Sequence, residues 1–423
     1  MGSYCEIYFD GIVVCSAKSV VPEEFCAMFQ ESDRHVSESS DEGGHQPNVV
    51  YKAKRDVVLN RLALLGCTAS VARERLTEWV ENERKTWEEY AAEPGGEWAI
   101  KKAQALREFS PEQWYSCVPE ALATRYTRDE SEDDVDRYLR AYDADWVWFD
   151  GYGSLIALRA LLDACQDAKV VSLDVSDLVG GGWLEIDSKL CEARRQEEVL
   201  EVRPLSPTVI LAEGRSDTKI LKQSLSALFP ERQDYFSFFE HAVLTVDSGT
   251  TYLVKFLKAF AAARVPVRIV AVFDNDTAGI QAYRQAQCLE LPENLIVFRL
   301  PDIELARSYP TIGPQGRHVV DVNGRAAAIE LYLGRSALTL NGSLSLVRWT
   351  GYDKTADAYQ GEVEAKVEVQ KKFFRALKGT STPAEARARF PELAGAWEAI
   401  FDVVERSAEA AQRNSLDGDW DWF

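Results

Sequence analysis

The sequence predicts an α/β fold: a mostly parallel sheet with crossover helices, preceded by a mostly helical region that opens on a β-hairpin and followed by a partly helical extension. Three observations carry this. From about Pro204, short apolar runs alternate with segments of helical periodicity, the pattern of strands joined by crossovers. From Val49 to about Asp167 the helical period dominates. Near the start, Asp10-Gly11 separates two alternating segments, "CEIYF" and "IVVCSA", a strong two-residue hairpin signal. The expected division is 1–200, 204–335 and 336–423. At 423 residues and 46% hydrophobic composition, the chain exceeds one typical domain and can build more than one core.

After the hairpin, "QESDRHVSESSDEGGHQ" (30–46) is polar and contains glycine, so it reads as a loop. "VVLNRLALLG" reads as a helix ending at Gly66, followed by one capped at Thr68 or Ser70. "SPEQW" (110–114) is another capped start, and "DESEDDVDRY" (129–138) a solvated acidic helix start. "AKVVSLDVS" (168–176) reads as a strand. The later strands are "TVILAEG", "YFSFFE", "AVLTVDS", "VRIVAVFDND" and "NLIVFRLP", with helices over "SDTKILKQSLSAL", "GTTYLVKFLKAFAAA" and "TAGIQAYRQAQCLE". The tail after Lys366 reads as helical to about Arg413. The tryptophans Trp79, Trp87, Trp98 and Trp114 fall on helical patterns and read as packing residues.

Composition excludes several classes. No run of about 18 apolar residues occurs, so no membrane span or membrane partner is expected. The N-terminus lacks a basic region before an apolar core, and Glu6 stands where a myristoylation motif wants Ser or Thr. A cytoplasmic location is expected. The eight cysteines form no CxxC pair and read as reduced thiols. A net charge of −20 argues against a generic nucleic-acid coat. It still allows a nuclease with locally supplied positive charge, a protein partner encoded nearby, or a homo-oligomer.

The candidate chemistry lies at two strand ends. Val209, Ile210 and Leu211 suit a central strand, and Glu213 follows at its carboxyl end, where open α/β sheets bind ligands. Ser216 is the expected cap of the next helix, whose first turn carries Asp217. The blander explanation for Glu213 is attraction to that helix's dipole, worth up to about 1 kcal/mol. It does not account for Asp274 and Asp276, which follow another buried apolar strand. On an extended segment both side chains of a D-x-D point one way. With Glu213 they form a hard-oxygen site for Mg²⁺ or Mn²⁺, to which Asp217 is a further candidate ligand.

The pairing of "AEGRSD" with "FDNDTAG" resembles the Toprim domain, a Rossmann-like domain of topoisomerases, bacterial primases and OLD-type nucleases, over roughly 205–300. The N-terminal segment "MGSYCEIYFDGIVVCSAK", with "RLALLG" and "SLDVSDLV", resembles the domain found before Toprim in HEPN/Toprim-associated bacterial proteins. The resemblance implies metal-dependent phosphoryl transfer on DNA or RNA, a setting in anti-phage defence, metal residues Glu213, Asp274 and Asp276, and a general acid or base role for Glu213. OLD-type nucleases add a later acid and a lysine. Glu330 is the candidate acid, and Lys366, Lys371 and Lys372 are the candidate lysines. A surface glutamate on a helix and solvated lysines are the plain alternatives. Asp302, Glu304 and Asp321 are weaker metal candidates. None of His35, His45, His241 and His318 has Arg at the HEPN ribonuclease spacing, so that activity is not expected here. A haloacid-dehalogenase-like phosphatase is disfavoured because Thr277, not Gly, follows Asp276. A non-catalytic sensor or adaptor, binding a partner through the acidic surface or the "DGDWDWF" tail, is the other alternative.

Overall fold

The computed structural model describes residues 2–41, 44–124, 149, 154–194, 206–239 and 250–416. The acidic run 129–138, the strand expected over 242–248, His241 and the tail from 417 lie outside the described residues. The chain is mixed α/β and divides into two compact units: residues 1–201 with 408–423, and residues 202–407.

In the first unit the Asp10-Gly11 hairpin joins Tyr4–Phe9 to Ile12–Lys18. It belongs to a larger, five-stranded antiparallel sheet completed by Val170–Asp174, Gly44–Lys54 and Arg34–Asp41. The last two strands correct the loop expected over 30–46. Arg34–Asp41 is the edge strand of this sheet, held by its ladder to Gly44–Lys54. An edge strand needs backbone pairing rather than burial, and polar side chains protect it from further pairing. Polar composition was therefore misleading there. Helices Arg55–Leu64, Ala69–Ala92 and Pro111–Thr124 follow. Thr68 caps the second, accepting from the Val71 N–H at 3.4 Å. Ser110 and Gln113 close a reciprocal capping pair at the third (3.3 and 2.8 Å). Trp114 is fully buried, edge-on to Phe149 at 5.5 Å. All eight cysteines are free.

The second unit is built on a four-stranded parallel sheet in the order Leu295–Arg299, Ile269–Phe273, Thr208–Leu211, Phe236–Phe238. The Ile269–Phe273 strand is buried at every position, as expected of a parallel strand covered on both faces. Leu211, Ala271 and Phe273 pack with Leu253 and Leu257 of helix Thr250–Ala262 and with Ala286 of helix Thr277–Gln287. Trp397, from helix Pro391–Leu416, packs against Phe236 and donates its indole N–H to Ser224 Oγ at 2.9 Å. A second, mixed sheet runs Gly316–Val320, Tyr309–Gly313, Val347–Asp353, Ala358–Val363. Among the described residues no helix is long and apolar enough to cross a membrane.

Candidate metal centre

Strands Thr208–Leu211 and Ile269–Phe273 are adjacent and parallel, with Leu211 beside Ala271. Their carboxyl ends therefore deliver Glu213 and Asp274 to one place, and the Asp274 N–H donates to Glu213 Oε1 at 3.2 Å. Helix Arg215–Leu228 starts at once, with Gly214 at its N-cap. Ser216 is not the cap: its hydroxyl donates to Asp217 Oδ1 at 3.0 Å, and no side chain caps this helix. The cap signal was real, but the chain enters the helix two residues earlier than a Ser216 cap requires. Asp276 is itself the N-cap of helix Thr277–Gln287, accepting from the Gly279 N–H at 2.7 Å. Its other oxygen accepts from Gln360 Nε2 at 2.7 Å.

Glu330 lies on a short 3-10 turn, Ile329–Leu333, and is 4% exposed; the surface-helix alternative does not hold. The turn is docked onto the cluster, with the Ile329 N–H donating to Asp274 Oδ1 at 3.1 Å. Glu330 Oε1 accepts from Gln370 Nε2 at 3.0 Å. Lys366 opens helix Lys366–Lys378 and pairs with Glu362 at 3.5 Å. The residue before it, Ala365, has φ +54, the left-handed region that costs a residue with a Cβ about 1 kcal/mol or more.

The electrostatics show how tightly these groups are gathered. Burial pushes the Glu213 carboxyl up to about 8; Asp276 and Asp217 add to the rise, and the Asp274 N–H and Lys366 oppose it. Burial, then Glu330, raises Asp217 to about 6. Asp274 is raised well above the carboxylate range by burial and by Glu213, Asp217, Asp276 and Glu330 together. Burial lowers the Lys366 ammonium, but Glu330, Glu362 and Asp274 outweigh it and raise it overall. The structure thus brings Glu213, Asp217, Asp274, Asp276, Glu330 and Lys366 within electrostatic reach of one another. Lys371 and Lys372 are exposed, and Lys372 donates to the Thr339 carbonyl; neither joins the cluster.

Asn275, between the two aspartates, is fully buried and faces other partners. It donates to Asp302 Oδ1 at 2.9 Å, and its oxygen accepts from Arg299 and from the Gly324 N–H. Asp321 accepts from Asn323, which in turn bridges to Ile303. Asp302 and Asp321 are therefore employed in a loop clamp, and Glu304 pairs with Arg307. Asn275→Ala is expected to destabilise the chain by about 1–3 kcal/mol by orphaning this network, measurable by denaturant unfolding.

The donor set, carboxylate oxygens throughout, suits Mg²⁺ or Mn²⁺ chemically. As the side chains stand, however, no group of three or more His, Cys, Asp or Glu among the described residues is closed tightly enough to hold an ion. Three of these carboxylates are already held by hydrogen bonds: Asp276 by Gln360 and Gly279, Asp274 by Ile329, and Glu330 by Gln370. Gln360 and Gln370 were not anticipated from the sequence. No motif marks a glutamine whose partner lies 84 or 40 residues away.

Compared with known proteins, residues 1–197 match the HEPN/Toprim N-terminal domain 1 family. No curated protein and no solved structure matches the chain.

Proposed function

We propose that this chain, which carries a HEPN/Toprim N-terminal domain, is a Mg²⁺- or Mn²⁺-dependent nuclease whose second unit is a Toprim-type phosphodiester hydrolase, acting in bacterial anti-phage defence. The N-terminal family is consistent with a nuclease-like or defence-associated function. The observation that carries the finer reading is the convergence of Glu213, Asp217, Asp274, Asp276 and Glu330 at the carboxyl ends of adjacent parallel strands, with Lys366 set against them. Carboxylates so gathered repel one another, and an entering cation relieves that cost.

Asp274, Asp276 and Glu213 are the residues to hold the metal, with Asp217 and Glu330 beside them. When bound, the metal supplies Lewis-acid stabilisation of phosphoryl oxygens and lowers the pKa of water. The chain's own groups do the rest. Glu213, which accepts the Asp274 N–H at the strand end, is the group to exchange a proton during the reaction. Lys366, set among these acids, is the group to offset charge that develops on the leaving oxygen. Gln360 and the Gly279 N–H fix Asp276, so that its carboxylate is oriented before substrate arrives.

The test is an assay of the purified chain on plasmid, linear duplex, single-stranded DNA and RNA, with Mg²⁺, Mn²⁺ or EDTA. Cleavage surviving in Asp274→Ala plus Asp276→Ala would sink the metal-site reading. Lys366→Met is expected to slow cleavage by about a hundredfold, whereas Lys371→Ala plus Lys372→Ala should change it little. Equal losses in the two proteins would move the catalytic charge away from Lys366.

A further inference from the structure

We propose that the hairpin of Val347–Asp353 and Ala358–Val363 is a stacking platform for unpaired bases, so that the substrate reaching the acid cluster is single-stranded nucleic acid. This deepens, and rests on, the hydrolase reading above. Tyr352 and Tyr359 are directly opposite in register. Their rings lie 5.1 Å apart at 66°, and they remain 49% and 57% exposed. Trp349 backs them, 6.1 Å from Tyr359. Room for the indole comes from Gly361 and Gly313, where a Cβ would stand 3.0 and 3.1 Å from its ring atoms.

The rings are held in place before any ligand arrives. The Tyr352 hydroxyl donates to Asp357. Asp353 Oδ1 accepts the Thr355 and Ala356 N–H groups at 2.7 and 3.0 Å, fixing the turn. Rigid aromatic rings offer contact area at low entropic cost.

The hairpin is also fastened to the acid cluster. The residue after Tyr359 is Gln360, which donates to Asp276 and accepts from the Ala278 N–H at 3.1 Å. The Tyr359 carbonyl accepts from Thr277 Oγ1 at 2.9 Å. The strand that carries Tyr359 is thereby tied to a side chain that grips a candidate metal ligand. Lys354 is exposed in the turn, and Arg325, also exposed, pairs through its backbone with Asp276; their side chains are the positive charge offered to a backbone phosphate. A duplex keeps its bases stacked inside and cannot offer their faces, whereas a single strand can. A single strand also presents a lower phosphate density to a chain at −20.

The experiment measures affinity of the full chain in EDTA for a labelled single-stranded DNA, a single-stranded RNA and the matching duplex. The wild type should prefer the single strands. Tyr352→Ala plus Tyr359→Ala should lose about tenfold per stacked base with duplex affinity unchanged, and Tyr352→Phe plus Tyr359→Phe should stay within about twofold, since the π-face is kept. Unchanged single-strand affinity in the alanine protein overturns the platform, as does equal wild-type affinity for duplex and single strand. Capture of a protein on this face, with oligonucleotide affinity untouched by the substitutions, also overturns it. Ring-dependent single-strand binding without Mg²⁺-dependent cleavage supports the platform while removing the hydrolase reading, so the two fail separately.

Discussion

Asp274→Asn is expected to cut metal-dependent cleavage by about a hundredfold or more, and to raise the melting temperature of the metal-free chain. Even outer-shell partners of metal ligands are worth about 10–100-fold, and Asp274 is proposed as a direct ligand. The stability gain has a separate cause. Asp274 is held well above the carboxylate range by burial and four surrounding acids. At neutral pH the folded chain must either hold its proton or bear the repulsion, whereas the unfolded chain does neither. Asparagine removes that cost and keeps an oxygen to accept the Ile329 N–H, a bond of 3.1 Å in the native chain. Alanine would lose that acceptor and part of the gain, so the amide is the cleaner test. Each kcal/mol gained should appear as about 2–4 °C for a unit of this size. Paired cleavage and thermal-unfolding measurements in EDTA decide it; a variant that cleaves like the wild type would show that Asp274 is not a ligand.

Glu213→Gln is expected to flatten the pH dependence of stability. In the unfolded chain Glu213 titrates near 4.5; in the folded chain it does so at about 8. A carboxyl raised in the folded state binds its proton more tightly there, so its contribution is fully present below 4.5 and is lost as pH rises through about 8. Asp217, raised from 3.8 to about 6, acts with the same sign lower in the range. Metal-free wild type should therefore lose a few kcal/mol between about pH 5 and pH 8. Glu213→Gln should lose distinctly less. Mg²⁺ should stabilise the wild type more at pH 8 than at pH 5, because ligands bind metal deprotonated. Thermal unfolding across that range, with EDTA or Mg²⁺, checks both statements. Wild-type stability that climbs through the window would contradict the environment assigned to Glu213.

Much of this was legible in the sequence because it rests on local chemistry. Asp10-Gly11 fixes a hairpin turn; Thr68 and Ser110 cap helices; unbroken apolar runs give the central strands. Because those strands are parallel, the residues just past their ends must share one edge of the sheet, which is how Glu213 and Asp274 could be paired across 61 residues. The alternation of an extended chain likewise separates Asn275 from its two aspartates. Tertiary structure alone decided the rest. Polar residues 34–41 became a strand because Gly44–Lys54 offered a ladder. Glu330 became buried because its turn docks on Asp274. Lys366 rather than Lys371 or Lys372 faces the acids because it shares a helix face with Gln370, four residues on, and that face docks on Glu330. The aromatic hairpin is tied to the site by Gln360, which carries no motif. Periodicity and capping act over a few residues, so a sequence states them directly. Which distant segment neutralises, orients or covers a given side chain depends on packing the whole unit, and no local pattern encodes it.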